Sequence, residues 1–228
     1  MGSDALFLAF DTSAAHCAAA VVRGDAILAE AVVPMARGQA EALVPLLQRL
    51  MAEAGHDLPD LTALGVGIGP GNFTGTRIAV ATARGLALAL GRPAIGVSTF
   101  DLMRDPSGLG EDAAELVSVP APREMAYVCQ YRRGTARAAP RLVDPAAPPR
   151  DLRLPANIHV IGHRAAEIAR AFDAGHREAA LEDLPRRLGK VTEWKWRNRI
   201  DTGSRPAPLY VKPPDAAPPG DPPPVLLP

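Results

Sequence analysis

The sequence predicts an α/β fold in which one β-β-β-α-β-α-β-α unit is followed by a second, degenerate copy. Three observations carry this prediction. Three short apolar runs at 5–10, 17–22 and 27–33 are separated by turn residues. Apolar strands then alternate with apolar-periodic helices up to about residue 103, and the strand pattern restarts at Leu116. With 228 residues the chain can bury roughly 70% of its unfolded surface.

Residues 5–10 end at Asp11-Thr12-Ser13, and residues 17–22 end at Arg23-Gly24-Asp25, a hairpin turn that leads into the third strand. Between Arg37 and Gly55 the residues Leu43, Leu46, Leu47, Leu50 and Met51 recur at helical spacing, with Pro45 expected to kink the first turns. Residues 61–68 read as a buried strand, followed by a Gly-Pro-Gly-Asn turn and a helix from about Thr74 to Leu90. A strand at 94–97 leads to Ser98 or Thr99, either of which can cap a helix near Phe100. The second copy offers strands at 116–119, 126–131, 135–143 and 158–161, a proline-rich loop over 140–155 and a helix from Ala165 to about Phe172. Residues 176–212 resist assignment, and from Pro213 the chain reads as a polyproline-like tail. The expected domains are 1–103, 104–212 and the tail 213–228. This order matches the actin-like, sugar-kinase-like (ribonuclease-H-like) architecture.

Composition narrows the functional classes. Twenty-five basic residues balance 25 acidic ones, so the chain as a whole exerts no strong field on a phosphate backbone. Aromatic residues are only 4%, which leaves the core to Ala, Leu and Val. Cys17 and Cys129 stand apart in apolar strands and read as reduced structural thiols. No leader or membrane-spanning pattern is visible, so a cytoplasmic location is expected.

Few residues nominate chemistry. Asp11, Thr12 and Ser13 end the first strand where this architecture can set a carboxylate and hydroxyls against a metal-bound phosphate, and an Asx-type hairpin turn uses the same residues. Gly69, Pro70, Gly71, Thr74 and Gly75 read as a tight structural turn, with Asn72 or Thr74 capping the helix after it. That stretch is neither a Walker loop nor a dinucleotide fingerprint. His159 and His163 spell HxxxH on a strand, where residues four apart lie about 13 Å from each other, so no metal site is expected. His16, His56 and His176 read as isolated and solvent-facing. Lys190–Arg199 interleaves Trp194 and Trp196 with cations, which fits either RNA stacking or a packed element whose cations stay wet. No nucleophile constellation emerges, and hence no catalytic residue. The helix Thr76–Leu90 carries only Arg77 and Arg84 as charges, so it is either buried or completed by a partner.

Phe10-Asp11-Thr12-Ser13, Gln39-Ala40-Glu41, the run Gly67–Ile78, Gly85-Leu86-Ala87 and Gly96-Val97-Ser98-Thr99 closely resemble the TsaB (YeaZ) family over residues 5–103. Pro208–Pro213 is similar to the family's C-terminal signature. Gln39 stands where the family pattern has His, and the Asp that the pattern has near Pro120 is missing. The resemblance implies a non-catalytic scaffold or activating subunit that binds the paralogue TsaD through its N-terminal helices. It also implies TsaE in a larger complex, and threonylcarbamoyl transfer to the tRNA adenosine beside the anticodon. On that reading tRNA is met only through the complex, no cofactor is tightly bound by this chain alone, and ATP or ADP belongs to the complex. The partner interface would use Leu43, Leu47, Leu50 and Met51 on the first helix. On the second it would use Ile78, Ala79, Thr82, Ala83 and Leu86. Whether the isolated chain forms a homodimer stays open. The alternative is an ATP-dependent phosphotransferase of the same fold using Asp11 and Thr12, for which Val119–Pro122 supplies no second phosphate loop.

Overall fold

A computed structural model of the chain describes residues 4–104 and 109–211. The proline-rich tail expected from 213 onward lies outside the described residues. The first half builds β1 (Leu6–Asp11), β2 (His16–Arg23), β3 (Ala26–Pro34), α1 (Gln39–Glu53), β4 (Ala63–Gly69), α2 (Phe73–Leu90), β5 (Ala94–Ser98) and the short α3 (Thr99–Met103). Its five strands pair in the order β3-β2-β1-β4-β5, antiparallel among the first three and parallel from β1 through β4 to β5.

The second half builds β6 (Ala114–Pro120), β7 (Ala126–Arg132), β8 (Thr135–Ala136), β9 (Arg141–Val143), β10 (His159–Gly162), α4 (Ala165–Arg170), β11 (Gly175–Glu178) and α5 (Leu184–Arg197). The order β11-β10-β6-β7-β8, with β9 also on β7, repeats the first topology strand for strand. The duplicated actin-like fold expected from the element order is therefore present. The copy is degenerate where α1 has its counterpart: residues 144–158 contain only turns and coil. The strand expected over 135–143 is interrupted at 137–140, where Pro140 cannot donate to a ladder.

Alternation within the strands explains the layers of the first sheet. Leu8, Phe10, Ala19, Val21, Leu64 and Val66 face α1 and α2, in one cluster with Leu43, Leu47, Leu50, Ala79 and Ala83. The other face carries Phe7, Ala20, Val22 and Ile95 in a cluster with Trp196 of α5, and Ala9 and Val97 in a cluster with Leu188 and Val191. The unassigned region thus contains a helix that returns to the first sheet. Leu188, Val191, Thr192 and Lys195 form its buried stripe at helical spacing. A Cβ on Gly65 would lie 1.9 Å from the Thr192 hydroxyl oxygen, so only glycine lets α5 settle this close to β4.

In the second sheet Leu116, Val128, Val160 and Ile168 form one core with α4, and Val117, Val119, Cys129 and Tyr131 form another with Phe100 and Met103 of α3. Because Leu102 packs with Leu188 on the first-sheet side, α3 joins both halves. No helix among the described residues is long and apolar enough to cross a membrane.

Candidate functional site

The turn after β1 is tied to the start of α2. Asp11 is 3% exposed, and its Oδ1 accepts hydrogen bonds from Ser13 N at 2.9 Å, Ser13 Oγ at 3.0 Å and His16 Nε2 at 2.9 Å. A Cβ on Gly67 would meet Asp11 Oδ2 at 1.7 Å, so β4 closes over the other oxygen. Thr12 is fully buried and donates its hydroxyl to Gly75 O at 2.7 Å, while Asn72 N donates to Ser13 O at 2.6 Å. Gly75 is required there, because a Cβ would lie 1.8 Å from the Thr12 carbonyl oxygen. Of the two candidate caps, Asn72 is the one used: its Oδ1 accepts from Gly75 N at 2.8 Å, and Thr74 falls inside the helix. Gly69 has φ +83°, and Thr99 Oγ1 donates to Pro70 O at 2.9 Å.

Asp11, Thr12 and Ser13 are therefore brought together, but facing inward. A nucleotide's metal-bound phosphate needs free carboxylate and hydroxyl oxygens; here Asp11 Oδ1 and the Thr12 hydroxyl are engaged within the turn and with Gly75, while Asp11 Oδ2 accepts no hydrogen bond among the described residues. His16, expected to face solvent, is instead held on Asp11 with its side chain 18% exposed. His159 projects from β10 and His163 stands in the turn after it, and no group of three or more His, Cys, Asp or Glu among the described residues is arranged to hold a metal ion.

The interface residues inferred from the resemblance need correction. Leu43, Leu47, Leu50, Met51, Ala79 and Ala83 are each 0–2% exposed and hold α1 and α2 on the sheet, so none of them can meet another molecule. Ile78, Thr82 and Leu86 are half-buried. The solvent side of the helix pair is made instead by Val44 (40% exposed), Phe73 (40%) and Leu88 (84%), with Ala52, Ala81 and Gly85 also exposed. Gly85 sits in mid-helix with no atom within 4 Å of where its Cβ would be.

Between the two sheets lies a polar group that sequence reasoning missed. Lys195 of α5 is 5% exposed, and its Nζ donates to Gly96 O and Asp101 Oδ2, both at 2.8 Å. Asp101 Oδ2 also accepts from Ser98 N and Ser98 Oγ, each at 2.8 Å, and Ser98 Oγ lies 3.1 Å from Tyr131 OH of the second sheet. Burial opposes the charged form of Asp101, yet the Lys195 ammonium and the Ser98 donors hold its carboxyl below the usual range. Burial, with the Asp101 charge nearby, pushes the Cys129 thiol up to about 12 and the Tyr131 hydroxyl well above its usual value. Both cysteines are free and buried. Trp194 and Trp196 pack rather than face water, Trp196 edge-on to Phe7 at 5.5 Å. Lys195 is the exception to the expectation that the cations here stay wet.

A duplicated sheet of this strand order defines a member of the actin-like, sugar-kinase-like class. A ROK hexokinase from Thermus thermophilus shares that fold, with a TM-score of 0.53 over 85% of this chain and 99% of that one at 15% identity. YeaZ from Pseudomonas aeruginosa is more similar, with a TM-score of 0.64 at 26% identity over 90% of this chain and 99% of that one. The family model for TsaD, tRNA N6-adenosine threonylcarbamoyltransferase, matches residues 27–181. The tRNA threonylcarbamoyladenosine biosynthesis protein TsaB of Escherichia coli is 33% identical over 55% of this chain and 54% of its own length. An uncharacterised protein of Mycobacterium tuberculosis is 33% identical over 92% of this chain and 93% of its own length. Another, from Mycobacterium leprae, is 35% identical over 61% of this chain but only 39% of its own length. The chain belongs to the TsaB (YeaZ) family.

Proposed function

We propose that this chain is a non-catalytic scaffold and activating subunit in threonylcarbamoyladenosine formation on tRNA, docking TsaD through the solvent side of α1 and α2. The curated relatives named for that pathway support the pathway, and the engagement of Asp11 Oδ1 and the Thr12 hydroxyl within the fold supports a chain without chemistry of its own. Catalysis, TsaE and tRNA then belong to the assembled complex, as does any ATP or ADP.

The observation that carries the docking surface is Gly85. Glycine costs a helix interior about 1 kcal/mol relative to alanine, and at Gly85 nothing within the fold requires it. A facing helix would use the absent side chain, because small residues let two backbones approach closely. Ala81, four residues earlier on the same helix face, is also small and exposed.

Gly85→Arg separates the reading from a folding effect. The isolated variant should melt at or slightly above the wild-type temperature, because arginine is a better helix former and has open space. Mixed with TsaD, the wild type should co-elute on size exclusion at micromolar concentration and the variant should not. Co-elution of the variant at wild-type affinity, or failure of the wild type to bind, would remove the proposal.

A further inference from the structure

A cleft of about 370 Å³ opens between the last turns of α2 and the segment 202–206, at the far end of that helix from the turn at Asp11. Arg84, Arg92 and Arg205 line it, and no carboxylate does. None of the three forms an ion pair among the described residues. Their internal use is slight. Arg84 Nε donates to Pro206 O at 2.7 Å and Arg92 Nη2 to Pro59 O at 3.3 Å, leaving the remaining N–H groups of the forks free. Asp201, next in sequence to the cleft, directs its carboxylate to Lys195 Nζ at 3.6 Å. The rest of the lining includes the apolar residues Ala87, Leu88, Pro93 and Ala94, of which Leu88 is 84% exposed.

Three arginines on one cleft with no carboxylate in its lining give it a local positive charge in a chain whose formal net charge is zero. Arginine forks match carboxylates bidentately, and the apolar part of the lining has no use for a bare inorganic ion. No aromatic ring lines the cleft to stack a nucleobase, which argues against single-stranded RNA. We propose that this cleft binds an acidic peptide segment of a partner protein. Carboxylates on either side of one aliphatic residue would engage the arginines, while that residue covers Leu88 and Pro93. The proposal rests on charge and shape at this cleft; it shares Leu88 with the solvent side of α2, and the peptide test on the isolated chain reads it separately from TsaD docking.

The test uses the full chain and a fluorescent peptide with the core Asp-Glu-Leu-Asp-Glu, read by anisotropy at low salt. The expected result is saturable binding that weakens with added salt and falls about tenfold or more when the core is Asn-Gln-Leu-Asn-Gln. Arg92→Gln and Arg205→Gln are both at exposed positions and should leave the melting temperature unchanged. Each should weaken binding several-fold, and the double variant about tenfold or more. Arg84 is left intact because it also holds Pro206. Three results would overturn the proposal: no saturable binding at millimolar peptide, equal binding of the acidic and amide peptides, or affinity unchanged in the double variant. A single-stranded RNA that binds more tightly than the peptide and is lost in the same double variant would also overturn it, making the cleft a nucleic-acid site.

Discussion

Asp101 closes α3's capping box with Ser98 and neutralises the Lys195 ammonium buried between the sheets. Removing one member of a buried pair leaves the other charge without compensation, so Asp101→Asn should cost about 3–5 kcal/mol in thermal or denaturant melting. The sign with pH follows from the direction of the shift. The Asp101 carboxyl is held below its usual value in the folded chain, so its contribution is complete above about pH 4, the unfolded carboxyl's range. That contribution is lost as pH falls through the lowered folded value. Melting temperature should therefore drop on acidification below about pH 4, and drop less steeply in Asp101→Asn. A variant that melts like the wild type at neutral pH would show that the pair contributes nothing. At this scale the sequence was only partly legible. Asp11, Thr12 and Ser13 announce a turn, but the choice between an open phosphate cradle and a closed knot depends on Gly67 and Gly75 meeting them from other elements. Lys195 carries the usual signs of a surface residue and is buried only because Asp101 and Gly96 converge on it.

Element by element, the chain announces α1 and α2 clearly and hides α5. In α1 the apolar stripe runs straight through Pro45, which stands exposed on the outer side, and the helix continues unbroken from Gln39 to Glu53. In α5 the stripe Leu188–Val191–Thr192–Lys195 is present at the right spacing but includes a lysine and a threonine, with Pro185 and Gly189 further blurring the helical signal. Two of these are accounted for by the fold: Gly189 lets Val22 approach, and the Thr192 hydroxyl donates to Leu188 O at 2.6 Å inside its own helix. Trp196 anchors this helix on Phe7, and Trp196→Ala should cost about 3 kcal/mol of stability by removing a large partly buried ring. Loss of RNA affinity without loss of stability in that variant would reverse the assignment of the tryptophan to packing. On the other face, the residues that make α1 and α2 recognisable as helices are the ones their own sheet covers. Apolar periodicity identifies what faces the core, which is why it pointed to Leu43 and Ala79 and away from the outer residues Ala81 and Gly85.

Across the whole molecule, the order of elements made the duplicated topology legible because each strand and helix of the first unit is bounded by its own turn residues. The arrangement of the two sheets was not legible, since α3 and α5 do the joining and α5 lies in the stretch that resisted assignment. A chain truncated to residues 1–183 tests this arrangement. It should be insoluble or bind a hydrophobic dye, because Phe7, Ala20, Val22 and Ile95 would lose the cover that α5 provides. A soluble, cooperatively melting truncation would show that the first sheet does not need its returning helix.

The same return path bears on how the polypeptide is made. The strands that α5 covers are complete once Ser98 has left the ribosome, but their lid ends at Arg197. At bacterial elongation speeds of up to about 20 residues per second, that gap lasts about 5 s or longer. Throughout it the nascent chain carries a half-dressed sheet into a crowded cell, and a holding chaperone would have its moment there.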